Sequence, residues 1–121
     1  MNAQHVNFLA GGDPAHSLSQ FAHSVYEAFQ VSDFEERESS NYVDGFYFTA
    51  VSGSRILKVM RSNSETQLDL PYWLRVSSND GSMPLSNEEI DDIGKRLVRK
   101  GYKVARVANP GQKDEQRFDY V

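Results

Sequence analysis

Apolar positions divide this chain into two helical stretches and a set of alternating ones. From Asp13 to about Gln30, Leu18, Phe21, Ala22, Val25 and Phe29 recur at helical spacing and form one narrow stripe. His16, Gln20, His23 and Glu27 fall on the opposite side. Asp13 offers an N-cap and Pro14 the first helical position, where a missing N–H costs nothing. Residues 1 to 12, ending in Gly11-Gly12, read as a lead-in outside the packed elements.

The second helix carries fuller punctuation. Ser86 and Glu89 have capping-box spacing, with Leu85 and Ile90 at the staple positions. Ile90, Ile93, Leu97 and marginally Val98 form its stripe. Gly101 is placed for a left-handed stop, with Tyr102 able to fold back over Leu97.

Between the helices the period changes to two. Residues 31 to 41 form a weakly patterned, acidic edge strand or loop. "GFYFTAVS", a Gly-Ser turn and "RILKVMRS" predict a hairpin. A turn at Ser52-Gly53 or Gly53-Ser54 puts Phe46, Phe48 and Ala50 across from Leu57 and Val59 on one face. Tyr47, Thr49, Val51, Ile56, Lys58 and Met60 take the other face, which is too apolar to be simply wet. After the polar "NSETQLD", "LPYWLRVSS" predicts a strand with Tyr72, Leu74 and Val76 inward and Trp73, Arg75 and Ser77 outward. "NDGSMP" is loop-like, and "YKVARVA" is a strand ending at Asn109-Pro110-Gly111. Residues 109 to 121 are a tail, frayed or returning as a short strand through Phe118 and Tyr120.

The order is helix, three or four strands, helix, strand. It predicts a single α+β domain over residues 1 to 121, with an antiparallel sheet of four to five strands and both helices on one face. At 121 residues, with 12% aromatics, the chain can bury a core unaided. It has no cysteine and no long apolar run, and no basic flank precedes "VNFLA" as in a signal peptide. A soluble cytoplasmic protein without disulfides is the simplest expectation.

Charge changes the picture. The net charge is −4, yet six of thirteen basic residues (Lys95, Arg96, Arg99, Lys100, Lys103, Arg106) lie between positions 95 and 106 with no acid among them. Read as a phosphate-binding stripe, with Tyr102 for stacking, they suit a nucleic acid. Read as helix construction, Asp91 to Lys95 and Asp92 to Arg96 are i,i+4 pairs and the cations match the helix dipole. The unpaired cations would then balance acids of the 33 to 44 segment, and this reading is preferred.

Catalytic chemistry has little to stand on. His23 and Glu27 are one turn apart, but His16 is about 10 Å from His23 along the axis, too far to share a metal. Asp33, Glu35, Glu36, Glu38 and Asp44 fit no calcium loop, and "VSGS" is no nucleophile elbow. No cofactor is expected. The outward sheet face has the residue types enriched at interfaces: Tyr47, Met60 and Trp73 as anchors, with Lys58 and Arg75. Such a face is either a binding surface or covered by the termini through Phe8 and Leu9, or Phe118 and Tyr120.

The expected function is therefore a small non-catalytic protein-interaction module, monomeric or homodimeric. Glu35, Glu36 and Glu38 would steer a basic partner, as in an acidic inhibitor or immunity protein. Alternatives are a nucleic-acid-binding domain using the 95 to 106 stripe and a small hydrolase without a recognisable motif.

Overall fold

A computed structural model describes residues 5–12, 17–40, 45–53, 55–62, 70–78, 85–108, 113 and 116–120. Its elements are β1 (His5–Gly11), α1 (Leu18–Ala28), β2 (Glu35–Glu38), β3 (Phe46–Ser52), β4 (Arg55–Arg61), β5 (Tyr72–Ser78), α2 (Asn87–Arg99), β6 (Lys103–Ala108) and β7 (Gln116–Tyr120). The strands form one antiparallel sheet in the order β2-β3-β4-β5-β1-β6-β7.

The α+β class stands, but the sheet has seven strands where four or five were expected. The expected lead-in supplies one of the extra strands. β1 lies between β5 and β6, with Phe8 paired to Leu74 on one side and to Arg106 on the other. Its sequence, "HVNFLAG", alternates poorly because both faces are covered: Val6 through Gly11 are all buried. A strand buried on both sides reads as a continuous apolar run, and this one is short enough to pass for a turn approach. The tail supplies a second strand, as β7 pairs with β6 through Phe118 and Tyr120.

Register puts Phe8, Phe48, Leu57, Val59, Leu74, Val76 and Val104 on one face, and both helices pack there. Ser52 pairs with Arg55, the register of the second of the two expected turns. α1 buries Leu18, Phe21, Ala22, Val25 and Tyr26. Phe21 stacks on Tyr72 at 4.9 Å and meets the edge of Tyr102 at 5.1 Å. The Tyr26 hydroxyl donates to the Leu57 carbonyl at 3.1 Å, tying the helix to the sheet backbone. Ser17 caps α1 by accepting from the Gln20 N–H. The expected start at Asp13 and Pro14 lies outside the described residues, as do His16, Asp44 and the "NSETQLD" and "NDGSMP" connections.

α2 begins and ends as its residues dictate. Ser86 accepts from the Glu89 N–H at 3.2 Å. Gly101 adopts φ 97°, and the Tyr102 and Gly101 N–H groups donate to the Leu97 and Val98 carbonyls, completing a Schellman stop. The other half of the capping box is not made. The Glu89 carboxylate instead receives both Arg55 nitrogens at 2.6 Å, a two-pronged ion pair that joins the β3–β4 hairpin to α2. Among the described residues no helix is long and apolar enough to cross a membrane.

Candidate functional site: the helix-free sheet face

The sheet face away from the helices is built by alternation, so its members follow from the register. Tyr47, Thr49 and Val51 of β3, Ile56, Lys58 and Met60 of β4, Trp73, Arg75 and Ser77 of β5, and His5, Asn7 and Leu9 of β1 lie on it. Four strands thus contribute where three were expected.

One end of this face is closed. Leu70 is fully buried and packs with Leu9, Ala105 and Val107, with Trp73 half-buried beside them. Met60 is also fully buried, so its role as an exposed anchor is corrected: it is packing. The termini do not cover the face in the manner expected. Phe8 points to the helices, Leu9 belongs to the sheet surface itself, and Phe118 and Tyr120 lie on the helix side of β7. Among the described residues, Leu70, just before β5, covers this end.

The open part centres on two cations. Lys58 and Arg75 are direct cross-strand partners. Like charges in that position repel. Lys58 Nζ lies 5.7 Å from the centroid of the Tyr47 ring, which attracts it. Arg75 Nε is buried and has no hydrogen-bond partner, and among the described residues no acid pairs with either cation. On the far side of Arg75, Asn7 accepts from the Trp73 indole N–H at 2.9 Å. That bond holds the indole edge in place beside the cations.

The acids take a different place. Glu35, Glu36 and Glu38 are exposed along β2, the outer edge of the sheet. Glu35 is joined to Arg37 at 2.8 Å, which raises the Arg37 pKa through that hydrogen bond. Glu36 and Glu38 line an open hollow with Ser39, Ser40, Gly45 and Phe46. β2 and β6 are separated by four strands, about 24 Å at the usual strand spacing. The β6 cations therefore cannot balance the acidic edge as expected, since salt screens beyond about 8–10 Å.

The six residues of the basic stretch do not form one stripe. Arg96 pairs with Asp92 at 2.8 Å, lies over the Phe29 ring and donates to the Ala28 carbonyl at the end of α1. Lys100 donates to Glu27 at 2.7 Å and so lowers the Glu27 pKa. These two cations clamp α2 to the C-terminal end of α1, where a positive charge suits the helix dipole. Arg106 lies on the helix side of β6 with its guanidinium 4.6 Å from the Phe118 ring. Lys103 is exposed on the opposite side of that strand, and Lys95 and Arg99 are exposed on α2. Among the described residues Asp91 forms no ion pair with Lys95. It accepts from the Tyr120 hydroxyl at 3.2 Å instead.

Neither of the other chemical candidates assembles a centre. His23 meets the edge of the Phe34 ring at 5.1 Å, Glu27 is engaged by Lys100, and no group of three potential metal ligands occurs among the described residues. A hollow of about 320 Å³ between the hairpin and the helices contains Glu89 and Asp92, each held by an arginine. Sequence reasoning put Tyr47, Lys58, Trp73 and Arg75 on this face but left out Asn7, because the strand that carries it was read as a lead-in. No family model, curated protein or solved structure matches the chain.

Proposed function

We propose that this chain is a non-catalytic protein-interaction domain whose helix-free sheet face, around Tyr47, Lys58, Trp73 and Arg75, receives an acidic segment of a partner protein. The observation that carries the reading is the Lys58–Arg75 pair, two adjacent cations with no acid among the described residues and a buried Arg75 Nε left unbonded. A buried donor without an acceptor costs about 1–3 kcal/mol, and a partner carboxylate would relieve both that cost and the like-charge repulsion. Tyr47 and the fixed Trp73 edge supply the flat contact surface beside it.

This reading reverses the polarity expected from composition. An inhibitor-like role through Glu35, Glu36 and Glu38 has weaker support, because Glu35 is already neutralised by Arg37 and edge acids serve to repel other strands. Single-stranded nucleic acid is disfavoured by the −4 net charge and by the half-buried, hydrogen-bonded indole, which offers no open stacking platform. A reducing, cytoplasmic setting suits a chain without cysteine.

Trp73 is the sole tryptophan, so its emission reports on this face alone. Titration with short peptides rich in Asp, Glu and aromatic residues should change that emission saturably. Arg75→Ala should weaken the response about tenfold or more, as expected for a charge-assisted hydrogen bond of about 1.5–3 kcal/mol. Equal responses from wild type and variant would reject the site. Preferential binding of a single-stranded oligonucleotide would replace the protein partner with a nucleic acid.

A further inference from the structure

The sheet ends in two edges, β2 and β7, and they differ in how they would meet a copy of themselves. β2 reads Glu35-Glu36-Arg37-Glu38 and is exposed throughout. A second β2 laid antiparallel on it brings three acids per strand against three, which repel. β7 reads Gln116-Arg117-Phe118-Asp119-Tyr120, with one charge of each sign. Those charges are placed antisymmetrically about Phe118. A two-fold axis through Phe118 exchanges the residue before it with the residue after it. Each Arg117 then stands opposite the other copy's Asp119, Gln116 stands opposite Tyr120, and Phe118 meets Phe118.

Three features make this edge ready to pair. Phe118 is 42% exposed, one of two large hydrophobic residues so exposed among those described, although it sits on a strand within the sheet. Arg117 and Asp119 already lie side by side, Nε to Oδ1 at 2.6 Å, so pairing two copies produces four charges alternating in sign. The strand is also held firmly. The Tyr120 ring covers Gly94 of α2, its hydroxyl donates to Asp91, and it packs against Phe8 at 6.1 Å between centroids. An edge fixed from behind loses little freedom when it pairs in front.

We infer that β7 is a self-association edge, on which a second copy of this chain pairs antiparallel about a two-fold axis at Phe118 and continues the sheet across both copies. β2 at the far end, protected by its acids, stops the assembly at two. A symmetric closed pair of this kind is the commonest form of oligomer. It leaves the Lys58–Arg75 face of each copy open, so the two surfaces are independent.

Light scattering across a concentration series tests the inference. Wild type should approach twice the 13.7 kDa chain mass as concentration rises. Arg117→Asp and Asp119→Arg, each of which puts like charges opposite one another, should shift the midpoint at least tenfold toward monomer. The double swap Arg117→Asp/Asp119→Arg restores opposite signs in the same register and should recover wild-type association. Val51→Asp, on the helix-free face, should leave it unchanged. Circular dichroism melts of every variant establish that the fold survives. A wild-type chain that stays monomeric to millimolar concentration overturns the inference. So do single variants that associate like wild type, or a double swap that remains monomeric while folded.

Discussion

Lys58 and Arg75 occupy positions that a stability-driven sequence would not choose. They face each other across an antiparallel pair, and the Arg75 Nε is buried without an acceptor. Binding sites commonly retain such locally unfavourable arrangements because the partner relieves them. Lys58→Glu would convert the repulsion into an attraction to Arg75, and each step is worth about 0.2–1 kcal/mol. The free domain should therefore gain roughly 1 kcal/mol, visible as a melting temperature a few degrees higher. At the same time, binding of acidic peptides should be lost. A lower melting temperature would show that Lys58 is a structural residue whose cation–π contact with Tyr47 outweighs the repulsion.

Elements in this protein are fixed by contacts that their own sequences do not announce. Gly94 lies in the middle of α2, where glycine costs about 1 kcal/mol relative to alanine. The reason lies on β7, because a Cβ at Gly94 would sit 2.6–2.7 Å from the ring carbons of Tyr120. Gly94→Ala should gain helix propensity and lose more by displacing that ring, for a net loss of about 1 kcal/mol. Amide exchange in β7 should quicken accordingly. In a Tyr120→Ala background the same substitution should become stabilising, because only the propensity term remains. If its sign were the same in both backgrounds, the packing of β7 on α2 would not explain the glycine. Glu89 makes a similar point: its spacing from Ser86 signals a capping box, yet its carboxylate serves Arg55 across the fold.

At the scale of the whole molecule, buried hydroxyls set an alkaline limit. Burial pushes the Tyr26 phenol well above the ordinary tyrosine range and raises Tyr102 as well. Tyr120 is pushed up from 10.0 to about 12, first by burial and then by the Asp91 carboxylate that its hydroxyl faces. These groups ionise more easily in the unfolded chain, so their contribution to stability is intact below pH 10 and is lost as pH rises through the folded values. Denaturation midpoints should fall steadily above pH 10, and ultraviolet titration should show Tyr26, Tyr102 and Tyr120 ionising only as the chain unfolds. Titration of those three near the ordinary tyrosine value, with no loss of structure, would contradict this. The same three hydroxyls link α1 to the sheet, α1 to the start of β6, and β7 to α2, so their ionisation would disconnect the layers together.

Local information alone determined a good part of this protein. The stripe of Leu18, Phe21 and Val25, the Ser86 cap, the Gly101 stop and the inward set Phe48, Leu57, Leu74 and Val76 are all written in periodicity and turn chemistry, which act over a few residues. Those signals state which face a residue takes. They do not state which strand lies beside it, because strand neighbours are chosen by the burial of the whole sheet. Only the tertiary structure could therefore put β1 between β5 and β6, bury Met60 under its neighbours and spread the basic stretch over separate surfaces. It alone brought Asn7 to Trp73 across 66 positions, and it alone made β2 and β7 the two edges. The face that could bind was written in alternation. That Lys58 and Arg75 have no acid among the described residues emerged only once those neighbours were in place.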